Sequence, residues 1–96
     1  MNQDEILKRL DESREEWTNF GVASLALFGS VARGEGTRDS DVDILVDFVP
    51  PATFDRYVDL HGFLEQLLEC PVDLLTTAAL NDRFRPYIEG ELIAVP

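Results

Sequence analysis

Basic residues are scarce in this sequence. Lysine and arginine together number 8 against 19 aspartates and glutamates, for a net charge of −11. That balance excludes the positive footprint with which most proteins hold nucleic-acid phosphates, so no direct nucleic-acid binding is expected. It disfavours an anionic membrane surface for the same reason and suits a basic protein or metal ions. The single cysteine, Cys70, excludes an internal disulfide and any multi-cysteine zinc site. No apolar run approaches the ~20 residues that cross a bilayer, so no membrane association is expected. The start, Met1-Asn2-Gln3-Asp4-Glu5, has neither the basic end nor the apolar stretch of a secretion signal. The expected compartment is therefore a reducing cytoplasm. With 96 residues, 45% hydrophobic and 28% charged, one folded domain spanning residues 1–96 is expected.

What is present reads as alternating helices and strands. Ile6, Leu7, Leu10 and Trp17 recur at helical spacing over residues 3–19, with Asp4 and Glu5 in the first turn and Asn19-Phe20-Gly21 as a stop. Val22 to Phe28 is a short apolar run, the mark of a buried strand. Gly29 to Ser40 has no periodicity and reads as loop, with room for one helical turn after Ser30. Asp41 to Phe48 alternates: Val42, Ile44, Val46 and Phe48 face one way, Asp41, Asp43, Leu45 and Asp47 the other. After Pro50-Pro51, Thr53 can cap a helix whose stripe is Phe54, Tyr57, Val58, His61, Leu64 and Leu68, ending at Cys70-Pro71. Val72-Asp73-Leu74-Leu75 is a short strand. Leu80, Phe84, Tyr87 and Ile88 suggest a last helix before Gly90, and Leu92 to Val95 is a terminal strand or a tail. This order predicts an α/β (α+β) domain, a small sheet carrying helices.

One constellation stands out: Gly29-Ser30, then ten residues, then Asp41-Val42-Asp43. Glycine after a strand lets the backbone approach a ligand closely. Free N–H groups in the bend, with the Ser30 hydroxyl, suit phosphate oxygens. Asp41 and Asp43 lie two apart on a strand, so their carboxylates share a face with backbones about 6.6 Å apart. They can converge on a pair of divalent ions about 3.5–4 Å apart, as in-line displacement at phosphorus requires. Hard oxygen ligands beside phosphate favour Mg2+ or Mn2+. Asp73 is the natural third carboxylate. An Asp within an apolar strand wants a charged partner, and it could both complete the metal site and take a proton from an acceptor hydroxyl.

Leu27-Phe28-Gly29-Ser30-Val31-Ala32-Arg33-Gly34-Glu35, followed by Ser40-Asp41-Val42-Asp43-Ile44-Leu45-Val46, resembles the signature of the minimal nucleotidyltransferases of the polymerase-β superfamily. The resemblance implies a palm-like small mixed sheet with flanking helices. It implies Asp41 and Asp43 as metal ligands for two Mg2+ ions, Asp73 as the third carboxylate, and Gly29 and Ser30 against the triphosphate of ATP. Many proteins of this size and signature are antitoxins paired with an α-helical HEPN ribonuclease toxin. The implied reaction moves AMP from ATP onto a tyrosine of that toxin. Two other readings stay open: an acidic antitoxin that neutralises a basic partner by contact alone, and a nucleotidyltransferase acting on a small-molecule alcohol. Larger superfamily enzymes hold base and acceptor with an added domain, so here the acceptor protein is expected to complete the site.

The remaining residues read two ways. Arg33, three positions past Ser30, can steady the triphosphate or form an ion pair with Asp41, Asp39 or Glu35. Gly34 and Gly36 suit turns, and Ser40 a local backbone bond. Asp47 lies about 13 Å along the strand from Asp43 and reads as solvent-facing. His61 suits packing rather than catalysis, and Cys70 is expected to be inert. Trp17 and Phe20 anchor the first helix unless Trp17 is exposed for a partner. Arg83 and Arg85 mark either a solvated helix face or a contact to phosphate or partner.

Overall fold

The computed structural model describes residues 2–35, 41–79 and 90–96. Helix α1 (Gln3–Glu12) begins where Asn2 accepts the Glu5 N–H at 2.9 Å, with Asp4 and Glu5 beside the positive helix end. The expected single helix over 3–19 is interrupted at Ser13, and α2 (Arg14–Thr18) follows. The break sets Trp17 beneath α1, where it is 1% exposed and its indole N–H donates to the Leu10 carbonyl at 2.7 Å. Trp17 is therefore a core residue. Phe20 packs on Phe63, ring centroids 5.3 Å apart, and Gly21 turns the chain into β1 with φ +84°.

β1 (Val22–Phe28) and β2 (Val42–Phe48) are antiparallel, and β2 and β3 (Val72–Thr76) are parallel. A two-residue strand, β4 (Ile93–Ala94), closes the other edge against β1, giving the order β3-β2-β1-β4. The terminal segment is thus a strand, further held by Val95 N–H on Leu25 O at 3.0 Å and Arg14 on Val95 O at 3.3 Å. The mixed sheet with flanking helices expected from the sequence is borne out.

Register assigns the two faces. Leu25 lies opposite Val46 and Leu27 opposite Ile44, which pairs onward with Leu74. These side chains join Ile6, Leu10, Leu60, Leu64 and Leu68 in one core between helices and sheet. The other face carries Ala26, Leu45 and Leu75 in one row and Phe28, Asp43 and Asp73 in the next. Leu45 sits on the polar side of β2 as expected but is itself buried.

Helix α4 (Phe54–Leu68) is capped by the Thr53 hydroxyl, which accepts from Arg56 N–H at 3.2 Å. Its buried stripe is Leu60, Leu64 and Leu68, whereas Phe54 is 78% exposed and Val58 48%. The expected stripe is corrected at Phe54 and Val58, which face solvent, whereas Tyr57, Leu64 and Leu68 pack on the core as expected. Leu60 lies about 200° around the helix from Val58, so a face that buries Leu60 turns Val58 to solvent. His61 is half-buried; its ring nitrogen bonds the Val72 carbonyl at 2.8 Å, a packing role. Burial pushes the Cys70 thiol up from its ordinary value, away from the thiolate that reacts. The helix expected from Leu80, Phe84, Tyr87 and Ile88, with Arg83 and Arg85, falls outside the described residues, as do Gly36, Asp39 and Ser40.

The helix ends on Glu69 in the left-handed conformation, φ 55°. This is the position at which glycine is favoured, because a Cβ is strained there. Glu69 also pairs with Arg9 at 3.4 Å, but its side chain is largely exposed, and such pairs contribute little. Glu69→Gly is accordingly expected to stabilise the fold by about 0.5 kcal/mol, read as a higher midpoint in urea at unchanged slope.

Candidate active site

β1 ends at Phe28, and the chain turns at once into α3 (Gly29–Ala32), a single helical turn. Gly29 has φ +73°, the region where an L side chain is strained. A Cβ there would overlap the Asp43 carboxylate and stand 2.9 Å from its Cγ and 3.2 Å from its Cβ. Glycine therefore lets the bend lie directly on Asp43, a contact that a strand register alone would not deliver. Gln3 of α1 donates to the Ala32 carbonyl at 2.9 Å and so ties the end of this turn to the first helix. Ser30 is half-buried at the second position of α3, and Gly34, φ +76°, turns the chain out again.

The two aspartate-bearing strands are parallel neighbours with Asp43 paired to Asp73. At the usual spacing their backbones stand about 4.8 Å apart, with both side chains on the face opposite the core residues Ile44 and Leu74. Asp41 precedes β2 by one residue, and Val42 N–H donating to Pro71 O at 3.1 Å fixes the strand beside it. Partial burial raises the Asp43 pKa, and the negative charges of Asp73 and Asp41 raise it further. Asp73 is also placed to accept a hydrogen bond from protonated Asp43. The three carboxylates are thus near enough to repel one another. Asp41 and Asp73 are exposed and Asp43 half-buried. β3 alternates and Asp73 falls on its open side, so its apolar strand neighbours do not by themselves demand the charged partner expected for it.

Among the described residues no three His, Cys, Asp or Glu side chains close into a ready-made cage. The carboxylates stand as a row open toward solvent. Their chemistry nevertheless fits a hard divalent cation such as Mg2+. All the ligand atoms are carboxylate oxygens, and a dication would offset the mutual repulsion of the three carboxylates.

Arg33 follows α3 and points its guanidinium at two carboxylates. Its Nε lies 3.0 Å from Glu35 and its Nη1 2.9 Å from Glu91. Of the expected partners, Asp39 lies outside the described residues and Glu35 is found; Glu91 is an additional one. The other carboxylate oxygen of Glu91 accepts the Gly29 N–H at 3.3 Å. Nothing local in the sequence marks Glu91, because its place depends on the pairing of β4 with β1. Asp47 is exposed, as expected, and accepts the Thr77 hydroxyl at 3.0 Å. A cavity of about 440 Å³ lies at that end of β2, lined by Asp47, Phe48, Pro50, Phe54, Tyr57 and Thr77 among others; none of the three clustered carboxylates, nor Gly29 or Ser30, belongs to it. Among the described residues no helix is long and apolar enough to cross a membrane.

Comparison with known proteins identifies the family and the fold. The nucleotidyltransferase domain profile matches residues 4–95. The protein adenylyltransferase MntA of Thermococcus cleftensis is 40% identical over 76 residues, 79% of this chain and 77% of that protein. A relative in Methanocaldococcus jannaschii, provisionally named a protein adenylyltransferase, is 37% identical over 92 residues, 95% of this chain and 92% of its own. A solved structure described as a minimal nucleotidyltransferase superposes with a TM-score of 0.85 at 33% identity, covering 97% of this chain and 95% of its own. A chain from the complex of a tri-AMPylated Shewanella oneidensis HEPN toxin with its MNT antitoxin shares the fold, with a TM-score of 0.67 at 15% identity over 94% and 71%. The likeness runs from the first helix to the last strand and takes in the bend and both aspartate strands. The chain belongs to the nucleotidyltransferase domain family, and it is an enzyme of that class.

Proposed function

We propose that this chain moves AMP from ATP onto a tyrosine hydroxyl of a partner HEPN-type ribonuclease and thereby acts as its antitoxin. The observation that carries the reading is the seating of Gly29 on Asp43, with Asp73 in register beside it. This joins a phosphate-facing bend to a row of carboxylates. Relatives named protein adenylyltransferase and the fold shared with an MNT antitoxin support it.

In this reading the bend at Gly29 and Ser30, with Arg33, receives the β- and γ-phosphates. Asp41, Asp43 and Asp73 would hold Mg2+, which supplies charge stabilisation at the reacting phosphorus when bound. The acceptor oxygen forms a bond to the α-phosphorus, and the bond to the bridging oxygen of the β-phosphate breaks. Pyrophosphate leaves with that electron pair, and the hydroxyl proton passes to Asp73. The excess negative charge of the chain steers a basic partner toward it.

The test incubates the full chain with labelled ATP, Mg2+ and the HEPN-type ribonuclease of its own genome. Label on a tyrosine of the ribonuclease, lost in Asp41→Asn/Asp43→Asn, is expected. Label on no protein overturns the reading, and neutralisation retained by the double variant would favour inhibition by contact. ATP with Mg2+ at about 100 times its dissociation constant should also stabilise the wild-type chain by roughly 2.7 kcal/mol, visible as a rise in Tm.

A further inference from the structure

Glu91 sits where a phosphate would. Its carboxylate takes a hydrogen bond from the Gly29 N–H at 3.3 Å through one oxygen and pairs with Arg33 Nη1 at 2.9 Å through the other. These two donors come from the bend and from the cation beside it. A carboxylate bridging a backbone N–H and a guanidinium presents negative charge and a pair of acceptor oxygens, as a phosphate does.

Its placement follows from the sheet. β4 pairs with β1 at Ala26 opposite Ala94 and Leu27 opposite Ile93. Continuing that antiparallel register two residues further sets Glu91 opposite Gly29. The pairing of a two-residue strand thus delivers an acid to the mouth of the bend. Both side chains are partly solvated, Arg33 44% and Glu91 30% exposed, so the pair is separable at modest cost.

We propose that Glu91 is an internal competitor for the triphosphate: its carboxylate occupies the Gly29 and Arg33 donors and must swing off them before a nucleotide settles. The inference rests on the assignment of Gly29 and Arg33 to the triphosphate made under the proposed function. Glu91 then sets a threshold for loading, because any phosphate must both displace it and tolerate its charge nearby.

The test compares wild type, Glu91→Gln and Glu35→Gln by calorimetry, with ATP·Mg2+ and with inorganic tripolyphosphate as probes. Glutamine keeps the shape and the hydrogen-bonding reach of Glu91 while removing its charge. Glu91→Gln is expected to bind both probes about three- to fivefold tighter, the scale of one partly solvated charge pair. Glu35→Gln, which loses an Arg33 contact but none to Gly29, should change affinity by less than about twofold. In steady-state transfer, Glu91→Gln should lower KM for ATP with kcat unchanged. Unchanged or weaker binding by Glu91→Gln overturns the inference. So does an equal gain in Glu35→Gln, which would reduce the effect to the net charge around Arg33. If wild type binds ATP·Mg2+ and transfers AMP while the Glu91→Gln ratio stays at one, only this inference fails. If neither probe binds any of the three proteins, the triphosphate assignment fails with it.

Discussion

Asp43→Asn is expected to remove AMP transfer by about a hundred- to a thousandfold, the scale of losing one preorganised charge at a transition state, while leaving the metal-free protein more stable than wild type. The two effects have one origin. Asp43 is half-buried between Asp41 and Asp73, and its pKa is raised by that burial and by their charges. Its proton is therefore held to higher pH in the folded protein than in the unfolded chain. Between the ordinary value of 3.8 and the raised one, the folded state binds more protons, so stability falls as pH rises through that window. Above it, the ionised carboxylate repels its neighbours and opposes folding. Asparagine removes that opposition, so in a metal chelator Asp43→Asn should melt higher than wild type at neutral pH. It should also lose the Asp43 part of the decline with pH. Thermal melts from pH 4 to 8 beside a transfer assay check both halves. A variant that loses activity and also melts lower would show that Asp43 is structural instead.

Gly29→Ala is expected to cost about 2–4 kcal/mol, summing a left-handed alanine with an overpacked contact. For a domain of this size that is a Tm fall of roughly 10–25 °C. The contact is severe because it has little room to relax. The Asp43 Cβ, 3.2 Å from the added atom, is fixed by a strand paired on both sides, and only the carboxylate tip can move. Gly34→Ala is the control: φ is equally positive at +76°, but nothing lies within 4 Å of the added Cβ. It should cost only about 1 kcal/mol, the conformational share alone. The double variant Gly29→Ala/Asp43→Ala should recover part of the loss, since the overlapping carboxylate is gone. The coupling in that cycle measures the contact. Equal losses at Gly29 and Gly34 would mean that the bend does not press on Asp43.

Much of this was legible in the chain itself, for a local reason. Strands announce themselves by alternation, as in Val42, Ile44, Val46 and Phe48, and caps by residue type, as at Thr53. The signature from Leu27 to Glu35 and from Ser40 to Val46 is contiguous, so the family was readable before any coordinate. Where two local patterns competed, reading failed. In α4 the exposed row of Phe54 and Val58 is as periodic as the buried row of Leu60, Leu64 and Leu68. Only packing against the sheet chooses between them. The break at Ser13 was likewise not legible, since it shows only in the tertiary contact of Trp17 with the Leu10 carbonyl.

The sequence by itself determined the residue types of the site, the spacing of the bend from the first two aspartates and the acidic balance of the surface. Tertiary structure decided which groups touch. The parallel pairing of β2 with β3 puts Asp73 beside Asp43, and the positive φ of Gly29 lowers the bend onto that carboxylate. The closing of β4 on β1 seats Glu91 on Gly29 and Arg33. Each of these contacts joins stretches at least fourteen residues apart, and register between distant strands comes from burial across the whole sheet.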